Sequence, residues 1–430
     1  MQRLFPLLIS LLLLTGTAQA AAPAATPAPP DTVQVTLPQA EQRFVQNNFS
    51  LLAQQYNVTA AEAQIQQAKL WDNPTVSLEQ NTYNPATGKH FDTTKSGESI
   101  VQVQQLFAIA GRRKAAARVA QQNALVEQLD FQDLQRTLRF QLRSTFYDLF
   151  FKQQTVGAYD REISSFRRTV AQYQGQYDKG NIALKEVIRL KVFLFQLENE
   201  RQSLLTDIAG QESDLRVLIR DNTGTYYRPQ SDPTRLQTLG LGTYSLEQLA
   251  DTAQAARADL RAKQAALEQQ NQNLRLQRAL SAPDLALGYT YDRAGGYIPN
   301  YKAVTMGIAV PIFNRNQGNI RSAQAQIQSS KADVGQQQII VQNDVQEAYR
   351  LVQQTDQLYQ NTNRNTGDFD RLITGIEQSY AKRNITIVEF LDFYESYKNN
   401  LVLLNQLRAS RMRAFEQLNF AVGRPVVKAE

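Results

Sequence analysis

Two stretches of this chain run for more than a hundred residues without a proline, from Pro85 to Pro229 and from Pro311 to Pro425. Proline inside a helix removes a backbone donor and clashes with the preceding turn, so its absence leaves room for very long helices. In the first stretch Leu125, Leu129, Phe131, Leu134, Leu138, Leu142 and Phe146 fall largely at three- and four-residue steps, the spacing that lines one helix face. The pattern predicts helices over about Lys114–Tyr177 and Gly318–Tyr380, each with a shorter return, Ala183–Arg220 and Thr386–Val422. Some sixty residues at about 1.5 Å each make a rod on the order of 90 Å long. An ordinary globular domain has no use for such a rod; a coiled coil or a helical tube does.

The two stretches follow one plan. Tyr177-Asp178-Lys179-Gly180-Asn181-Ile182 falls on Tyr380-Ala381-Lys382-Arg383-Asn384-Ile385 at a separation of 203, and Phe107, Gly111 and Arg112 fall on Val310, Asn314 and Arg315 at the same separation. Upstream, Asn48 falls on Arg257 and Pro74 on Pro283 at a separation of 209. The length difference lies between Pro74 and Phe107, where a surface hairpin loop absorbs it at little cost. Two repeats are expected, 39–222 and 244–424, with a Gly/Pro/Thr-rich connector at 223–243 and a tail at 425–430. Each opens on a predicted helix, Leu37–Leu70 and Ser245–Leu280; Ser245 stands three residues before Gln248, an N-cap with its capping-box partner.

Residues 1–20 read as a secretory signal: one arginine, a Leu/Ile-rich core, and Ala18-Gln19-Ala20 as a cleavage site. The apolar core is too short for a membrane anchor. Residues 21–38 form a Pro/Ala-rich segment, disordered or extended through Pro30 because it has nothing to bury. The chain has no cysteine and one histidine, His90, so disulfides, thiolate ligands, a lipidated cysteine and a His-based cluster are excluded. No catalytic residue, cofactor or metal site is expected, because no nucleophile–base pair or ligand cluster is recognisable. His90 reads as an ordinary surface-loop histidine. A formal charge of +6 over 430 residues, with no basic patch interleaved with aromatics, speaks against nucleic acid. Charged residues make up only 20%, and Gln and Asn fill helix positions instead, as in a helix–helix seam, a wet lining or a plain compositional habit.

Between the helices the period switches to two. Val76 and Leu78 alternate with Thr75, Ser77 and Glu79; Val101 and Val103 with Gln102 and Gln104. Leu285, Leu287, Tyr289 and Tyr291 alternate with Ala286, Gly288, Thr290 and Asp292; Val304, Met306, Ile308 and Val310 with Thr305, Gly307 and Ala309. Strands are expected at about 74–83, 99–108, 283–292 and 301–311, with aromatics near their ends. One reading is a half-buried sheet in a soluble domain. The other is membrane-crossing strands, whose length, alternation and aromatic ends fit. A membrane tolerates no open sheet edge, so four strands per chain then demand an oligomer, and three copies supply twelve.

Several residues stand out at turns. Gly180 supplies a turn with positive φ, and Asn181 and Asn384 are candidate caps of the following helices. Gly111, Arg112, Asn314, Arg315 and Gly318 mark the strand-to-helix junctions: Asn314 ends a strand, Gly318 gives the chain room to enter its rod, and the arginines lie near a membrane surface or act as solvated caps. Glu186, Glu389 and Asp392 follow the helix turns closely. Carboxylates ringing a pore end attract cations and can hold a gate, while on a solvated helix face they do neither.

Asn73-Pro74, Ala282-Pro283-Asp284-Leu285, QLFAIAGRRKAAARVA at 105–120 and above all VPIFNRNQGNI at 310–320 resemble the outer membrane factor family, the TolC-like outer membrane efflux proteins. Within it the last segment looks like the PLFNRNQG signature of the CzcC/CusC-like heavy-metal branch. YDKGNIALKEV at 177–187 and YAKRNITIVEF at 380–390 are similar to the family's helical tips. The resemblance implies a mostly α chain with membrane β-strands: a homotrimer with a twelve-stranded outer-membrane barrel continuing into a periplasmic α-helical barrel. It implies a passive exit duct for heavy-metal cations, served by a periplasmic adaptor and an RND-type inner-membrane transporter and seated in outer-membrane lipid. Gly180, Asn181, Ile182, Arg383, Asn384 and Ile385 then fall at the adaptor contact, although Arg383 departs from the glycine of the first tip. The same architecture exporting drugs or a polypeptide, and a non-conducting coiled-coil scaffold, are the alternatives.

Overall fold

The computed structural model describes residues 32–242, 244–294, 298–363 and 366–428, with no side-chain description at 233, 235 and 363–372. The predicted signal at 1–20 lies outside these residues.

The first proline-free stretch forms the expected single rod, and the second holds two helices where one was expected. Helix α3, Arg112–Asp178, is one uninterrupted helix of 67 residues, on the order of 100 Å long. It turns into the antiparallel α4, Leu184–Ile219. In the second half α8, Gln317–Asn363, and α9, Thr366–Ala381, take the place of α3, and α10, Ile387–Val422, takes that of α4.

Each predicted opening helix is two helices. α1, Leu37–Asn47, and α2, Phe49–Gln67, are split by Asn48; α6, Leu246–Ala256, and α7, Ala258–Ala279, are split by Arg257. Both dividing residues are extended, at ψ 123°. Asn48 Oδ1 accepts from the backbone N–H of Ser50 and Leu51, so a buried cap ends one helix and begins the next.

The four strands form one antiparallel sheet. β2 (Thr75–Gln80) pairs with β5 (Ser99–Phe107), β5 with β7 (Leu285–Asp292), and β7 with β8 (Tyr301–Ile308). The β5–β7 pairing joins the two halves side by side. A short hairpin, β3 (Tyr83–Asn84) and β4 (Lys89–His90), fills the longer first loop. His90 lies there beside Tyr83, its Nδ1 3.2 Å from the Thr82 carbonyl.

A further pairing was not foreseen. β1, Thr32–Thr36, pairs in parallel with β6, Tyr226–Gln230, so the end of the Pro/Ala segment and part of the connector form a two-stranded sheet. The short α5, Pro233–Thr238, follows. Val35 and Tyr227 are buried in the large core midway along the rods, with Phe44, Phe146, Leu215, Val345 and Phe415. A second core nearer the helical turns packs Phe166, Leu190, Phe193, Tyr380, Phe390 and Tyr394.

Candidate functional site

The sheet registers place the alternating apolar residues within the four strands on one face; Val310 lies beyond β8. Val76, Val103, Tyr289 and Val304 form one cross-strand row; Phe107, Leu285 and Ile308 form another. The other face carries Ser77, Gln102, Thr290 and Ala303 in one row, and Thr75, Gln104, Gly288 and Thr305 in the next. Gly288 is there for space: a Cβ would sit 2.5 Å from Thr305 Oγ1 and 3.3 Å from the Val103 carbonyl.

The apolar face is bare. Val304 is 80% exposed, Leu78 72% and Met306 69%. The half-buried sheet of a soluble domain packs this face on a core, and among the described residues no such packing is present. Among the described residues β2 and β8 each lack a second neighbour, so both edges are open there. An apolar face and unpaired edges together call for a surrounding apolar medium and a partner strand at each edge.

At the first junction Gly111 is the left-handed N-cap of α3, at φ +72°. Arg112 Nη1 donates to Asp284 Oδ2 at 2.9 Å, tying this junction to the start of β7. In the second half the left-handed residue is Asn316, at φ +57°, and not Asn314, the counterpart expected from sequence. Asn314 Oδ1 accepts from the Asn316 backbone N–H, and Asn316 Nδ2 donates to the carbonyl and Oε1 of Gln277 at the end of α7. Arg315 Nε donates to the Ile312 carbonyl at 3.2 Å. Gly318 lies in the first turn of α8 with open space where a Cβ would be, so the rod does not depend on its lacking a side chain.

The helical turns are near copies. Gly180, at φ +78°, donates its N–H to the Tyr177 carbonyl, and Asn181 to that of Gln176. Arg383, at φ +62°, donates to Tyr380, and Asn384 to Ser379. This is the Schellman arrangement. Arginine therefore adopts the conformation that glycine adopts in the twin.

Asn181 and Asn384 are not the caps of the following helices. Those are Ala183, which has no side-chain acceptor, and Thr386, which forms a reciprocal capping box with Glu389. Asn181 Nδ2 instead donates to Gln176 Oε1. The hydrogen bonds from the Thr386 backbone and hydroxyl hold the Glu389 carboxyl below its usual range. Glu186 occupies the matching place in α4, three residues after its cap. Asp392 is exposed on α10.

The two tips are held together from within. Tyr173 and Tyr380 stack at 4.8 Å, and Tyr380 stacks on Phe390 at 4.2 Å. The Tyr173 hydroxyl donates to the Tyr380 carbonyl at 3.2 Å, and burial raises both tyrosine pKa values. Further up the rods, Lys398 Nζ donates to both Glu200 carboxyl oxygens, 3.0 and 2.8 Å away, and Tyr159 donates to the same group. Burial pushes the Glu200 pKa up, but the hydrogen bonds from Lys398, Gln196 and Tyr159 outweigh it and hold the pKa low. Arg411, 2% exposed, reaches Asp356 and the Leu236 and Leu239 carbonyls. Sequence reading passed over Lys398 and Arg411, because a single basic residue on a helix carries no local sign of being buried.

Among the described residues no group of His, Cys, Asp or Glu is placed to hold a metal ion, and no helix is long and apolar enough to cross a membrane.

The profile of the outer membrane efflux protein family matches residues 41–218 and again residues 249–424. The chain belongs to the outer membrane efflux protein family. Its fold is that of TolC-like outer membrane factors: mostly α, with duplicated β-hairpins set on long helices. A comparison with curated protein sequences gives no match. Among solved structures, the channel protein CusC is 17% identical, with a TM-score of 0.75 over 90% of this chain and 92% of its own. The CmeC outer membrane channel of Campylobacter jejuni is 13% identical, with a TM-score of 0.74 over 90% and 85%. The open-state MtrE outer membrane channel of Neisseria gonorrhoeae is 15% identical, with a TM-score of 0.70 over 91% and 89%. As an outer membrane efflux protein, the chain is a channel component and not an enzyme.

Proposed function

We propose that three copies close into a twelve-stranded barrel in the outer membrane, with the long helices forming a periplasmic tube, and that the assembly is a passive efflux duct. The observation that carries the reading is the bare apolar sheet face flanked by two open edges. Pairing β8 of one copy with β2 of the next satisfies both edges, and the Thr75, Gln102, Gln104 and Thr290 face then lines the lumen. Absence of cysteine makes the test clean. Val304→Cys combined in turn with single cysteines along 75–80 is expected to crosslink outer-membrane protein into a trimer-sized ladder. A monomer in the soluble periplasmic fraction overturns the reading.

The repeats are 39–222 and 244–424 in this reading, and the tips, with Gly180, Asn181, Arg383 and Asn384 exposed and Ile182 and Ile385 half-buried, meet a periplasmic adaptor coupled to an RND-type inner-membrane transporter. Asn181→Lys places a charge at an exposed, unstrained position, and adaptor crosslinks are expected to fall while trimers persist. Unchanged crosslinks remove the contact. Glu186, Glu389 and Asp392 form the carboxylate gate at the same end. The exported class is heavy-metal cations, a reading supported by the likeness of Val310–Ile320 to the heavy-metal branch. Sensitivity of a deletion strain to zinc, cobalt, nickel, cadmium, copper and silver tests it; sensitivity to drugs alone sinks it.

A further inference from the structure

The membrane end of the rods carries an arrangement that the duct reading leaves unused. Trp71, between α2 and β2, is 57% exposed and sets its ring edge-on against Phe107, on the apolar face of the sheet, at 5.9 Å. The Arg113 guanidinium lies over the same indole, 3.6 Å from its centroid. Phe107, Trp71 and Arg113 thus form a step from apolar face to aromatic shelf to cation at the rim of the sheet. After β8 the exposed apolar run continues through Val310, Ile312 and Phe313, the last 91% exposed, and meets the exposed Arg315.

The charge at this rim is predominantly positive. Between Glu98 and Glu127 the sequence has no carboxylate and four cations, Arg112, Arg113, Lys114 and Arg118. Between β8 and Asp333 it has Arg315, Arg321 and Lys331, again with no carboxylate. Of the nearby acids, Asp284 is taken by Arg112, which leaves Asp72. The opposite rim is mixed: Glu79, Asp92, Glu98 and Asp292 stand among Lys89, Lys95, Arg293 and Lys302. A guanidinium stacked through its face keeps its edge donors for a phosphate, and exposed aromatics beneath it suit the start of an acyl chain.

We propose that this rim is a collar that binds anionic phospholipid headgroups of the periplasmic leaflet. The proposal rests on the outer-membrane reading above. Arg113 on Trp71 contacts the phosphate, the adjacent Lys114 and, about one turn further along α3, Arg118 add positive potential, and Phe313 enters the acyl region. Clustered cations beside an apolar surface select anionic over zwitterionic lipid, and salt weakens the selection.

The test reconstitutes the full mature chain into vesicles of phosphatidylethanolamine alone or with a minor share of phosphatidylglycerol. Lipids retained after mild detergent extraction are then quantified by mass spectrometry. Wild type is expected to enrich phosphatidylglycerol at least about threefold over the bulk vesicle. Combining Arg113→Gln, Lys114→Gln and Arg321→Gln is expected to abolish the enrichment, while insertion and pore conductance in phosphatidylethanolamine alone stay as in wild type. Swapping Arg113→Lys with Lys114→Arg preserves the charge and is expected to keep most of the enrichment. Insertion without enrichment in wild type, or equal enrichment in the triple variant, overturns the collar alone. Failure to insert into either vesicle overturns the collar together with the outer-membrane reading.

Discussion

Gly180 and Arg383, 203 positions apart, hold the same left-handed backbone and close the same pair of turn hydrogen bonds. One position uses a residue that adopts this conformation freely; the other holds a side chain there at a cost of about 1 kcal/mol. Repeated architecture therefore fixes the turn at the second tip, and local preference opposes it.

Arg383→Gly is expected to relieve that strain, and Gly180→Ala to introduce it. Hydrogen exchange at the Asn384 amide slows about fivefold in the first variant, and at the Asn181 amide quickens about fivefold in the second, as about 1 kcal/mol requires. Equal rates in all three proteins remove the strain argument.

The capping difference between α4 and α10 is open to exchange. Thr386→Ala deletes the cap and is expected to cost about 1 kcal/mol. Ala183→Thr gives Glu186 a partner three residues upstream and is expected to stabilise α4 by a similar amount. Thermal unfolding of both variants reads the sign; a destabilised Ala183→Thr variant shows that Glu186 does not act as its cap partner.

Lys398 is buried against Glu200. Glu200→Gln leaves the ammonium without its counter-charge and is expected to cost about 2 kcal/mol. A carboxylate with a lowered folded pKa contributes stability above its unfolded pKa and loses it as pH falls through the folded value. The gap between wild type and Glu200→Gln is thus full at neutral pH. It closes below the ordinary carboxylate range, which denaturant titrations across acidic pH measure.

The gating role proposed for Glu389 and Asp392 can be tested apart from the capping role by choice of substituent. Glu389→Gln keeps the capping box, because glutamine fills that position as well as glutamate. Combined with Asp392→Asn, it is expected to raise single-channel conductance in planar bilayers by easing closure. Conductance unchanged from wild type makes both residues plain surface charges.

Much of the molecule was legible in sequence because its long-range plan is written in local periods. The expected return helices, 183–220 and 386–422, differ from α4 and α10 by a residue at some ends; β2, β5, β7 and β8 lie inside the expected spans but are one to four residues shorter, and β8 stops at Ile308, so Asn314 does not end the strand. The splits at Asn48 and Arg257 were not legible, since one extended residue scarcely disturbs an apolar repeat. Nor was the shift of the left-handed residue from Asn314 to Asn316, which depends on the amide hydrogen bonds from Asn316 to Gln277.

The sequence by itself determined the rods and the two-sided strands. Freedom from proline, helical spacing and strict alternation are properties of neighbouring residues, and they act before distant segments meet. Tertiary structure alone decided the pairing of β1 with β6 and of β5 with β7, the burial of Lys398 and Arg411, and the meeting of Trp71, Phe107 and Arg113 at one rim. Each of these joins groups through space whose value depends on the partner's position, and a linear pattern carries no record of that position.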